Sequence, residues 1–157
     1  FENAVYLSTG VQIGVRESRR LKGCYTLKVG DLIANRSFED GVVLAGYPVD
    51  IHPPTPEDAK AALSAKREKH SIPQGRVYQI PYRTMITPQA ENLLVTGRCL
   101  SAEHEALGAI RVTPIAMAIG QAAGTAAALA VTGGCSPHEI DIDELKETLR
   151  ENDAELP

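Results

Sequence analysis

The stretch Asn92–Ala130, NLLVTGRCLSAEHEALGAIRVTPIAMAIGQAAGTAAALA, decides how this chain folds. Its second half opens a run, Pro114–Val131, with no charged residue over 18 positions. As a helix that run is about 27 Å long, enough to be tested as a membrane span. Its many alanines, and its interruption by Gly120, Gln121, Gly124 and Thr125, predict a buried core helix instead. Thr113 is expected to cap it, Pro114 to be its first residue, and Gly133–Gly134 to stop it. Gly120, Gly124 and Ala128 recur at every fourth position and so share one stripe. Small residues there admit a second backbone in close packing, or a large flat ligand.

Two segments converge on the start of that helix. Leu93–Thr96 reads as a short apolar strand running into Gly97–Arg98. Gly108–Arg111 reads as a loop running into the helix. Free backbone amides and the helix dipole favour negative charge at such a point, and Arg111 adds a full positive charge. A strand, a glycine and a helix N-terminus is how α/β folds build cofactor sites beyond strand ends. Phosphate, carboxylate or an anionic heterocycle would suit it. The plainer alternative is a surface arginine beside an ordinary cap.

Outward from there, Val11–Glu17, Cys24–Val29, Val42–Val49 and Val77–Met85 read as strands, the last interrupted by Pro81. Asp31–Asn35 is long enough for one helical turn. Thr55 followed by Pro56, Glu57 and Asp58 starts a helix over Glu57–Lys69, a surface helix or a mobile insertion within 53–76. Asp141 with Glu144 three residues on starts a final helix that puts Leu145 and Leu149 on one face. The expected fold is α+β: a mixed or antiparallel sheet of short strands packed with a long Ala/Gly-rich helix and a C-terminal helix.

Composition narrows the function. Hydrophobic residues make up 43% of 157, enough for a core and too many for disorder. The net charge of -4 and an aromatic share of 4% argue against nucleic-acid binding. Three widely spaced cysteines, Cys24, Cys99 and Cys135, give no disulfide framework, so a reducing, cytoplasmic setting is expected. No metal site is expected, because only Cys135 and His138 have ligand-like spacing. No G-x-S-x-G elbow is present for a serine hydrolase. The acidic segment from Glu139 onward suits a solvated amphipathic helix.

Asn92–Ala130 resembles the final FAD-binding segment of FAD-dependent oxidoreductases with the glutathione-reductase-type fold. RESRRLKGCYTL (16–27), DIH (50–52) and YQIPYRTMIT (78–87) look like the preceding substrate-side region of the same group. The resemblance implies that Gly97, Arg98 and Ser101 line the flavin. It places Arg111, Val112, Thr113 and Pro114 at the flavin's N1/C2 carbonyl edge, with Met117 nearby. Residues 1–91 would be the later part of the substrate domain, and 92–157 the last FAD-contacting unit plus the C-terminal helix. The sequence departs from the family in having no G-x-G-x-x-G fingerprint. The chain is therefore expected to be a C-terminal portion, inactive alone and without bound FAD. Its expected partners are a small-molecule substrate and the missing dinucleotide-binding half, with self-association through the uncovered helix and no membrane.

Several residues carry substrate chemistry in this reading. Arg16, Glu17, Arg19 and Arg20 would clamp an anionic substrate, or form a surface salt-bridge cluster. Asp50 and His52 would share a strand face and serve proton transfer, or His52 would cap a turn. Tyr82 would hydrogen-bond substrate, or pack. His104 would lie in the active site. The rival reading is a non-enzymatic anion-binding or structural α+β module.

Overall fold

The fold comes from a computed structural model that describes residues 2–12, 14–51, 55, 57, 72 and 75–157. Two β-branched or aromatic runs form its antiparallel sheet, β1 (Gly41–Ala45) and β2 (Tyr78–Pro81). Val43 pairs with Ile80, Leu44 with Gln79 and Ala45 with Tyr78, and a bulge separates Gly41 from Val43. Successive residues Val42 and Val43 are both buried, so both faces of β1 are covered. Both strands are shorter than predicted. Pro81 has no N–H to extend the ladder, and the chain turns at once into a single 3-10 turn, Tyr82–Thr84.

Four helices complete the described residues. Helix α1 (Val29–Ile33) is the predicted single turn, begun slightly earlier; the Asp31 carboxylate accepts the Lys28 amide at 3.0 Å. Helix α2 spans His104–Ile110, α3 Thr113–Gly133 and α4 Ile142–Glu151. Gly134 closes α3 in the left-handed region, φ 64, where its amide reaches the carbonyls of Ala130 and Val131. Asp141 caps α4, its side chain accepting from the amides of Asp143 at 2.8 Å and Glu144 at 3.3 Å. Leu145 and Leu149 are buried against α3, as their spacing predicts.

Five expectations about elements are corrected. The described residues of 11–17 form no strand: β1 and β2 pair with each other, and Val11 and Val15 stand exposed. Cys24–Val29 is an irregular crossing. Its amides bond to Ile86, Arg83 and Ser101 in turn, and its one ladder contact is a parallel bridge from Leu27 to Ala102. Leu93–Thr96 runs without a sheet partner, held by Val95 N–H to the Met85 carbonyl at 2.8 Å. Gly108–Arg111 is not a loop but the end of α2, with Arg111 as its C-cap. The cap of α3 is Val112, not Thr113, which is already helical. The proposed helix over Glu57–Lys69 lies outside the described residues.

Helix α3 is buried along one face only, a correction to the expected core helix. Ile115, Ile119, Ala122, Ala123, Ala126 and Ala130 pack inward, toward α4 and β1. Pro114, Met117, Gln121, Gly124, Ala128 and Val131 are exposed. A Cβ added at Gly120 or Gly124 would meet nothing within 4 Å, so packing among the described residues does not use the small-residue stripe. By length and composition the helix would suffice to cross a membrane.

Candidate functional site

His104 and Arg111 open and close α2. Seven residues are nearly two full turns, so the two side chains leave the same face. The Glu17 carboxylate joins them. Its Oε1 meets His104 Nδ1, and its Oε2 accepts from Arg111 Nη1 at 3.0 Å. Arg111 Nη2 donates to the Asp50 carbonyl at 2.7 Å, with the Asp50 carboxylate at 3.7 Å. Burial is graded across the cluster. The Arg111 side chain is 8% exposed, that of Glu17 15% and that of His104 52%.

Gly108 explains how Asp50 comes so near. It sits inside α2, where a Cβ would stand 2.9 Å from the Asp50 oxygen. Only a residue without a side chain lets the Asp50–Ile51 backbone lie on that turn. The sequence does carry a signal for the cluster. A helical Gly108 and the seven-residue spacing of His104 and Arg111 mark one face, which is invisible once 108–111 is taken as loop.

The start of α3 follows directly. Val112 is extended (φ -72, ψ 151) and supplies no side-chain cap. The first backbone bond is from Ala116 to Val112, at 2.9 Å, and the amides ahead of it have no intrahelical acceptor. Thr113 and Pro114 are exposed, and Met117 is 70% exposed one turn on. Gly97 and Arg98 form a 3-10 turn with Cys99 that packs beside α3. Gly97 has φ 63, and Arg98 is exposed. Ser101 is fully buried. Its hydroxyl accepts the Gly23 amide at 3.1 Å and shares a hydrogen bond with Thr26, also at 3.1 Å.

Other expected site residues lie apart or are engaged elsewhere. Tyr82 is buried, and its hydroxyl donates to the Pro137 carbonyl at 2.8 Å. Burial holds its proton above the ordinary phenol range. Arg20 donates to the Ala102 carbonyl at 3.0 Å, while Arg16 and Arg19 are exposed. His52 lies outside the described residues.

A second polar cluster, which no motif marks in the sequence, gathers three residues within a twelve-residue window. Tyr25 donates to Asp31 at 2.7 Å, and Arg36 reaches both residues. Burial, then the Asp31 hydrogen bond, pushes the Tyr25 phenol up to about 12. Burial opposes the charge of Asp31, but bonds from Tyr25, Lys28 and Arg36 outweigh it and hold its carboxyl below the ordinary value.

A family model described as FAD dependent oxidoreductase matches residues 1–149. No curated protein and no solved structure matches the chain. The match spans nearly the whole sequence, including the Gly97–Arg98 turn, the Glu17–His104–Arg111 cluster and the uncapped start of α3. The chain thus belongs to the FAD dependent oxidoreductase family.

Proposed function

We propose that this chain supplies the flavin-edge and proton-handling part of an oxidoreductase acting on a small molecule. The observation that carries the reading is the start of α3: exposed, without a side-chain cap, and joined through Val112 to the Glu17–His104–Arg111 cluster. FAD, when bound, takes up a hydride equivalent from substrate and gains negative charge on its pyrimidine edge. The donor set fits that edge. The first-turn amides of α3 offer hydrogen bonds along the positive end of its dipole, and a Cβ at Gly97 or Gly120 would meet only open space. Thr113 and Pro114 would border the group, with Gly97, Arg98 and Met117 around it. Ser101 would hold the Gly97–Cys99 turn in place through Gly23 and Thr26.

Arg111 acts differently from a free cation in this reading. Glu17 and Asp50 already engage its guanidinium, so it orders the site and its charge is partly compensated. Tyr82 is assigned to packing, since its hydroxyl is bound to Pro137. Arg16 and Arg19, exposed, remain for an anionic substrate group. In this reading the pyrophosphate is held by residues other than these 157, in a glutathione-reductase-type half, and the enzyme is cytoplasmic; the chain's want of a G-x-G-x-x-G fingerprint supports the first of these.

The test is flavin binding. A protein carrying this sequence together with a Gly-rich dinucleotide fold is expected to purify yellow and bleach on reduction. The 157-residue chain alone is expected to leave FAD fluorescence unchanged on titration. A colourless enzyme that cannot be reconstituted overturns the flavin reading. Stoichiometric FAD on the chain alone overturns the division of the site.

A further inference from the structure

We propose that Glu17 is a positioning residue that fixes which nitrogen of His104 works: Nδ1 is held protonated, and Nε2 is left to accept a proton from a substrate hydroxyl or amino group. This rests on the oxidoreductase reading above. A carboxylate has acceptors only, so the ring nitrogen that faces it must bring the hydrogen. Glu17 Oε1 faces Nδ1. A neutral imidazole carries one N–H, so the lone pair is at Nε2. The carboxylate end of the pair is enclosed and the ring end is open, at 15% and 52% exposure. Arg111, bonded to the other oxygen of Glu17 and to the Asp50 carbonyl, keeps the carboxylate from turning away.

Glu17 and the Asp50 carboxylate both face the Arg111 guanidinium. Among the neighbouring acids, Glu103 is turned to the Val29 amide at 3.4 Å, and Glu105 lies next along α2. In the step itself, the substrate's O–H or N–H bond breaks and an Nε2–H bond forms. The imidazolium then stays paired with Glu17 until solvent takes the proton.

A clamp that merely tied the ends of α2 together would hold the same tautomer, so the tautomer tests the Glu17–His104 contact and turnover tests its use. Nitrogen NMR on the 157-residue chain labelled at histidine, with the ring neutral, reads the first. We expect His104 in the wild-type chain as the Nδ1–H form, and Glu17→Ala to shift it to the Nε2–H form that free imidazole side chains prefer. An Nε2–H form in the wild type, or a tautomer unmoved by Glu17→Ala, overturns the proposal. If Glu17→Ala does not fold, the wild-type spectrum alone decides. In the FAD-loaded enzyme, Glu17→Ala should lower kcat by about tenfold or more with KM little changed. An unchanged kcat overturns the role in turnover. A colourless enzyme would instead sink the flavin reading while leaving the measured tautomer standing.

Discussion

Arg83 grips Asp40 at two points, Nε on Oδ2 at 2.9 Å and Nη2 on Oδ1 at 3.0 Å. The Arg83 amide adds a third bond to Oδ2 at 3.0 Å. Asp40 precedes β1 and Arg83 follows β2, so the pair closes one end of the sheet. The hydrogen bond to Asp40 raises the Arg83 guanidinium further above its usual range. The two partners are not equivalent: Asp40 is buried, whereas half of the Arg83 side chain faces water. Asp40→Ala strands three donors and is expected to cost about 2–3 kcal/mol. Arg83→Ala leaves the amide bond, and solvent screens the lost charge, so about 1 kcal/mol is expected. Denaturant midpoints of the two variants check the order. Equal or reversed losses would refute this account of the pair.

Tyr82→Phe separates packing from catalysis. The ring is 2% exposed and fills the core. Phenylalanine keeps that burial and removes only the hydroxyl bonded to Pro137. The expected loss is about 1 kcal/mol of stability, with kcat of the FAD-loaded enzyme unchanged. A large fall in kcat at nearly normal stability would return Tyr82 to the substrate site.

How much of this was legible in the sequence follows from what each residue's neighbours could say. Helix α3 was found because charge-free spacing, Pro114 and Gly134 are local signals. Helix α4 was found because Asp141, Leu145 and Leu149 lie within one short window. Strand-like Val11–Glu17 failed, because alternation states a preference and not a partner. Gly108 failed for the opposite reason: its local preference is to break a helix, and the close approach of Asp50 overrides that. Within the site, Arg111 and His104 were named from the sequence. The carboxylate between them stands 87 residues before His104, a distance that no spacing rule covers. Glu17 stands among arginines in the sequence, yet its structural partners His104 and Arg111 stand at the two ends of α2.

Gly108→Ala tests that close approach directly. Alanine in a helix interior ordinarily gains up to about 1 kcal/mol over glycine. Here its Cβ would stand 2.9 Å from the Asp50 oxygen, and backbone atoms must move. That oxygen is also the acceptor for Arg111 Nη2. We expect a net loss of about 1–2 kcal/mol, in the range of overpacked cores. Gly30→Ala is the control, since α1 has open space at that Cβ. It should be neutral or mildly stabilising. Thermal unfolding of both variants decides the point, and a stabilised Gly108→Ala chain would remove the steric account of the Asp50 contact.

The Tyr25–Asp31 pair sets a stability window at both ends of the pH scale. Burial first, and the Asp31 bond second, raise the Tyr25 phenol from 10.0 to about 12. The folded chain therefore keeps this proton where the unfolded chain loses it. Stability from the pair is complete below pH 10.0 and is lost as pH rises through about 12. Asp31 works in the other direction. Its carboxyl lies below the ordinary 3.8, so its contribution is present above that value and is lost as pH falls through the lower folded one. Burial also raises Tyr78 and Tyr82, which adds to the alkaline loss. Tyr25→Phe should make the alkaline limb of the denaturation midpoint shallower without abolishing it. Tyrosinate absorbance followed across the same pH range should show one fewer late-titrating phenol. A limb as steep as that of the wild type would mean that Tyr25 does not carry the linkage.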